Sequence, residues 1–204
     1  MKIFRLWLFL GLSLLIFVSC SKIEEDPFPS MQEVTGTQAA DITWKTGVLD
    51  VKEKEYRAEF GILNVSENRE KADSRLIHLP VVRIHATGEN ASEPVFLLAG
   101  GPGQTNIWKS PPVWLLENHD VVMVGYRGVD GSVSLDCPEV VEAMKVKEYP
   151  LSHENLEKLG RAFYAAFQRL KQEGIDIDKY TMVDGRSSPF PKNTENYSIR
   201  RWRL

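Results

Sequence analysis

Hydrophobic positions change their period several times along this chain, and each change predicts a different kind of element. Lys2 and Arg5 precede an uncharged apolar run from Leu6 to Val18, which ends at Ser19-Cys20. A membrane-spanning helix needs about 20 apolar residues, so this run predicts a secretory signal over residues 1–20 rather than a membrane span. The stretch that follows is polar, acidic at Glu24-Glu25-Asp26 and broken by Pro27 and Pro29; residues 21–40 are expected to be a flexible tether. From residue 41 the pattern becomes strand-like. Phe60 to Val65 and Leu76 to Ile84 read as strands, separated by the polar connection Ser66 to Ser74. In the second, alternation puts Leu76, Val82 and Ile84 on one face, His78 interrupts that face, and Pro80 predicts a sheet edge or a bulge.

Two later apolar runs, Val95 to Ala99 and Val121 to Val124, show no alternation. Short continuous runs bounded by turn residues are the pattern of parallel strands buried on both faces. Each is followed by glycines, in Gly100-Gly101-Pro102-Gly103 and in Gly125-Tyr126-Arg127-Gly128. The fold class expected is therefore α/β, with the two runs as neighbouring parallel strands and both glycine loops at one end of the sheet. Beyond them Leu156, Leu159, Phe163, Ala166, Phe167 and Leu170 recur at helical spacing, with Ser152 as N-cap, Glu154 in the first turn and Gly174 as the stop. That stripe reads as core packing.

Composition narrows the possibilities little. The 204 residues are 43% hydrophobic and 26% charged, enough for one domain, and a net charge of −3 gives no footprint for nucleic acid. Cys20 and Cys137 make neither a disulfide framework nor a metal site. His78 and His85 fall in a strand, His119 before one and His153 at a helix start; they read as surface or capping groups, and no metal site or cofactor is expected from them.

Chemistry is expected at Gly100, Gly101, Pro102 and Gly103, a turn that by itself also reads as no more than a tight loop. Glycines at the end of a strand let the backbone approach a substrate closely, and backbone N–H groups aimed at a carbonyl stabilise an oxyanion, one donor being worth about 3 kcal/mol of barrier. A phosphate cradle is the rival use of such a turn. It is disfavoured here because no Lys-Ser or Lys-Thr follows at P-loop spacing and no G-x-G-x-x-G is present.

Five segments, 76–84, 94–103, 120–132, Leu135-Asp136-Cys137-Pro138-Glu139 and 173–181, occur in an order that resembles the prolyl/tripeptidyl aminopeptidase branch of the α/β hydrolases (peptidase family S33, TAP-like) over roughly residues 41–184. The resemblance implies the N-terminal part of an α/β-hydrolase sheet. It also implies an oxyanion-hole loop at Gly100, Gly101, Pro102 and Gly103, and a supporting loop in which Arg127, Gly128 and Ser132 shape the adjoining floor. The complete enzyme would take a peptide or ester substrate through an acyl-enzyme. Phe17-Val18-Ser19-Cys20 likewise resembles a lipobox, which implies lipidation at Cys20 and anchoring in the cell envelope, at the outer membrane or cell surface; a plain signal peptide is the alternative. The chain departs from the family pattern at Ala99, where histidine is common, and at Gly125, where aspartate is usual. Cys137 matches a family cysteine whose partner in the next helix is lacking here, which implies a free thiol.

No G-x-S-x-G nucleophile elbow is present, so the catalytic triad is expected to be absent from this chain. Residues 185–204 carry five basic side chains against Glu195 and follow neither period. Shifted by one base, the codons of Asn-Tyr-Ser-Ile-Arg-Arg (196–201) can encode Ile-Ile-Leu-Phe-Gly-Gly, an apolar strand, so the tail reads as out of frame or truncated; a genuine basic tail or a cloning end are the alternatives. The function expected is that of a truncated secreted aminopeptidase, and the alternative is a non-catalytic surface lipoprotein that binds a partner. Metabolic labelling with a lipid precursor is expected to mark the protein, and Cys20→Ala to abolish the label; unchanged labelling of that variant excludes the lipoprotein assignment.

Overall fold

A computed structural model of the protein describes residues 26–31, 36–98, 101, 103–107, 110–145 and 149–181. The signal segment with Cys20, the residues Ala99, Gly100 and Pro102, and the tail 185–204 lie outside the described residues.

The described residues have mixed α/β content built on one five-stranded, mostly antiparallel sheet. Strands β1 (Ile42–Val51) and β2 (Lys54–Ser66) form a hairpin in which Val51 pairs with Lys54. Lys52 and Glu53 close it with φ of 52° and 64°, the two left-handed residues of a tight turn whose twist matches that of the strands. Strand β3 (Leu76–Ile84) pairs antiparallel with β2, and β5 (His119–Val124) pairs antiparallel with β3. Strand β4 (Ser92–Leu97) lies outermost beside β5, in the order β1-β2-β3-β5-β4. β4 and β5 run parallel, with Val95 opposite Val121 and Leu97 opposite Met123. The two non-alternating runs are thus neighbouring parallel strands, as their pattern predicts.

Alternate residues of the central strands supply two cores. Tyr56, Ala58, Phe60, Val82, Ile84, Val121 and Met123 face one side, where Leu115 and Leu116 of a 3-10 turn (Val113–Glu117) cover them. Leu63, Val65, Ile77, Leu79, Val81 and Val122 face the other. Burial on both faces holds for Val121, Val122 and Met123. It does not hold for β4. Leu98, just past the strand, is 75% exposed, because β4 is at the margin of the described sheet.

Pro80 is neither at an edge nor in a bulge, contrary to its prediction: β3 is a central strand in unbroken register with β2. The reason is local. β5 pairs with β3 only from Val81 to Ile84, and the Pro80 carbonyl accepts from Gly125 N–H at 2.8 Å where the chain leaves β5. A missing N–H is tolerated there, since the strand opposite has ended. His78 is also corrected, from a surface group to a buried one whose ring Nδ1 is hydrogen-bonded to Asn64 Oδ1 on the paired strand.

Among the described residues two helices follow the sheet, α1 (Pro138–Ala143) and α2 (His153–Gln172). Ser152 Oγ accepts from Asn155 N–H at the start of α2. At its end Gly174 adopts φ 79°, with Gly174 N–H donating to Lys171 O and Ile175 N–H to Leu170 O, the paired bonds that close a helix through a left-handed glycine. Arg169 binds Glu139 and the Asp136 carbonyl, tying α2 to the start of α1. The apolar stripe of α2 is not core, however. Leu156, Phe163 and Phe167 are 47%, 55% and 40% exposed, while Ala166 and Leu170 are buried. α2 packs principally against α1, with a smaller contact to the 3-10 turn Ile177–Lys179. Among the described residues nothing covers the rest of its apolar face. No described helix is long and apolar enough to cross a membrane.

At the other end of β5, Arg83 Nε and Nη2 both donate to Asp120 Oδ2, and Ala86 N–H donates to Asp120 Oδ1. Burial opposes ionisation of Asp120, but these donors outweigh it and hold its carboxyl below the ordinary range. They tie the start of β5 to the end of β3.

Gly131 has φ 95°, and a Cβ there would lie 2.0 Å from the His78 carbonyl oxygen. Left-handed strain alone costs about 1–3 kcal/mol, and the collision adds to it. Gly131→Ala is therefore expected to lower stability by at least about 2 kcal/mol in urea unfolding; a loss under 0.5 kcal/mol would contradict this packing.

Candidate functional site

Parallel strands leave a sheet at the same end, so the loops that follow β4 and β5 are neighbours. Of the residues expected to form an oxyanion loop, Gly100 and Pro102 lie outside the described residues. Gly101 and Gly103 are described, with φ of 98° and 73°. Both are left-handed, the conformation for which glycine is suited. The chain then turns inward to Asn106, which is fully buried.

Asn106 joins the two strand ends. Its Nδ2 donates to Leu97 O at 3.1 Å and to Val124 O at 2.7 Å, the last carbonyls of β4 and β5. Its backbone N–H donates to Asp130 Oδ2 at 3.2 Å, and the same oxygen accepts from Tyr126 N–H at 2.8 Å. Asp130 N–H returns a bond to Tyr126 O, closing residues 126–130 into a tight turn.

The supporting-loop residues are brought together, each with a structural partner. Arg127 donates to the carbonyls of Ser66 and Glu67 at the end of β2, and its guanidinium lies 5.4 Å from the centre of the Tyr180 ring. Gly128 has φ 77° and pairs with Ser134, leaving no room for a Cβ beside Leu135 and Tyr180. Ser132 clasps β3: its N–H donates to His78 O and its Oγ accepts from His78 N–H, both at 2.9 Å. The histidine rings make other contacts. His78 is bonded to Asn64, His85 faces Glu59 and Asp120, His119 donates to Glu93 O, and His153 pairs with Glu157. None of these contacts is with a serine hydroxyl. The Cys137 thiol is free and half-buried, against the Leu135 carbonyl. Among the described residues no three His, Cys, Asp or Glu side chains converge as a metal-binding group.

Beneath Arg127 lies a carboxylate that sequence reasoning missed. Glu67 is buried and accepts from Arg75 Nε at 2.8 Å, Arg75 Nη2 at 2.6 Å and Tyr180 Oη at 2.7 Å. Asn68 and Lys71 bind Asp176, and Lys179 binds Glu70. The connection after β2 is thereby held to the segment after α2. Asn106 and Asp130 were missed as well. Their one visible signal was a small polar residue close to a glycine turn, which predicts no partner.

No protein-family model matches this sequence, and no curated protein matches it. What the arrangement offers chemically is a backbone segment with two left-handed glycines, beside a second, hydrogen-bonded loop, at the carboxyl ends of parallel strands.

Burial opposes ionisation of Glu67, but the bonds from Arg75 and Tyr180 outweigh it and hold the carboxyl below its ordinary value. A depressed carboxylate stabilises the fold fully above the unfolded value of about 4.3, and that contribution is lost as pH falls through the lower folded value. Glu67→Gln is expected to cost about 2 kcal/mol near neutral pH and to flatten the acid limb of the stability profile below about 4.3. An unchanged acid limb, followed by circular dichroism, would contradict the assignment.

Proposed function

We propose that this chain is the N-terminal part of a secreted serine hydrolase of the α/β-hydrolase type, an aminopeptidase of the prolyl/tripeptidyl kind, with its nucleophile, acid and histidine encoded beyond it. The observation that carries this reading is that β4 and β5 run parallel, with the segment 103–106 after β4 bonded to the 125–130 loop after β5 at their carboxyl ends. On this reading the N–H groups of the 100–103 loop face the carbonyl oxygen of a peptide or ester, and negative charge that develops there meets fixed donors. Arg127, Gly128 and Ser132 hold the floor beside it, and lipid on Cys20 keeps the enzyme at the cell envelope.

Two features of the described residues support a sheet that continues. β4 lies at its margin with Leu98 exposed, an open edge of the kind that a further strand covers. The stripe Leu156, Phe163 and Phe167 on α2 is apolar and uncovered, as a helix is when the layer that packs on it is missing.

An acyl-enzyme needs a serine activated by a neighbouring base, and Ser132 Oγ instead accepts from a backbone N–H of β3. The purified 204-residue chain is expected to be inert to a fluorophosphonate probe and to aminoacyl-coumarin substrates. A gene resequenced through the codons for residues 180–204 and expressed in its restored frame is expected to react with both. In that product Gly101→Val depresses turnover much more than binding. A probe-reactive serine in the chain as given, Ser132 first among those to test, or an inert restored product, overturns the proposal.

A further inference from the structure

Two parallel strands that end side by side leave carbonyls pointing beyond the sheet, and buried carbonyls need donors. At the ends of β4 and β5 both are served by one side chain. Asn106 is fully buried and gives one Nδ2 to Leu97 O and Val124 O. An amide NH2 group has two hydrogens, one for each strand. Asn106 is also anchored from behind, because Asp130 Oδ2 accepts its backbone N–H together with that of Tyr126. The Asp130 side chain is fixed in turn. Its Cβ lies 2.6 Å from where a Cβ of Gly125 would stand, so it fits there only because residue 125 has none.

Three chain segments therefore meet on two side chains: the end of β4, the end of β5 with its 125–131 loop, and the segment that leaves the glycine turn at Gly103. From Gly103 to Asn106 there are only two intervening residues, Gln104 and Thr105. Extended chain spans at most about 3.3–3.6 Å per residue, so Asn106 limits how far Gly103 can move from the strand ends.

We infer that Asn106 and Asp130 form a positioning clasp that sets the glycine loop at a fixed distance from the ends of the parallel strands. The inference deepens the hydrolase reading, in which that loop supplies the oxyanion donors; neither residue touches substrate. Asn106 contributes through donor hydrogens, not through volume, and Asp130 through an acceptor oxygen, not through charge.

These two statements are separable by side-chain variants of the 204-residue chain labelled with nitrogen-15. Asp130→Asn keeps an acceptor oxygen, and Asp130→Ala removes it. Asp130→Ala is expected to speed hydrogen exchange of the Asn106 and Tyr126 amides at least tenfold and to shift the Gly101 and Gly103 amide resonances. Asp130→Asn is expected to restore both towards wild type, with Val81 and Ile62 in the central strands as unchanged references. Asn106→Asp, equal in size but without donors, is expected to move Gly101 and Gly103 as Asp130→Ala does. Exchange that rises equally at the reference amides shows a merely structural role and overturns the inference, as does Asn106→Asp matching wild type. If Asn106→Asp fails to fold, the Asp130 pair decides alone. None of these readouts involves catalysis, so the clasp stands or falls independently of whether a restored reading frame yields a hydrolase.

Discussion

A parallel pair of strands cannot be closed by a tight turn, because the chain must travel back the length of the sheet before the second strand begins. β4 and β5 are the one such pair among the described strands. Residues 98–118 make the return journey, and on the way they supply both Asn106 at the strand ends and the 3-10 turn that covers one core. The same crossover that buries Leu115 and Leu116 thus holds the ends of the two strands together.

Around this pair, polar groups do the joining and apolar groups do the filling. Asn64 with His78, Arg83 with Asp120, Glu67 with Tyr180, and Asn106 with Asp130 each link segments distant in sequence. In a medium of low dielectric such bonds are strong when complete and costly when broken. They specify which strand end meets which loop, a choice that valine and leucine side chains are too alike to make.

Much of the framework was legible from residue patterns alone. Val121–Met123 lack alternation because both their faces are buried, and the Ser152 cap and Gly174 stop bracket α2 because capping chemistry is local. The errors have a common cause. The period of Leu156, Phe163 and Phe167 states which face of a helix is apolar, and carries no information on whether another element lies against it. Pro80 and His78 were misread because their surroundings, Gly125 and Asn64, come from other strands or loops. Within the candidate site the glycines were visible as a motif. Asn106 was not, since a side chain that binds carbonyls 9 and 18 residues away leaves no periodic trace.

The contact between Gly131 and the His78 carbonyl reaches beyond stability into the history open to this sequence. Each of the other nineteen residues brings a carbon to the position 2.0 Å from that oxygen, so every missense change in this codon meets the same obstacle, whatever the chemistry of the new side chain. Lineages drifting under selection for folding alone would keep glycine here, and its persistence would carry no information about catalysis. Residues such as Gln104, exposed beside the glycine turn, are free of that constraint, and change there is open to whatever selection acts on the surface.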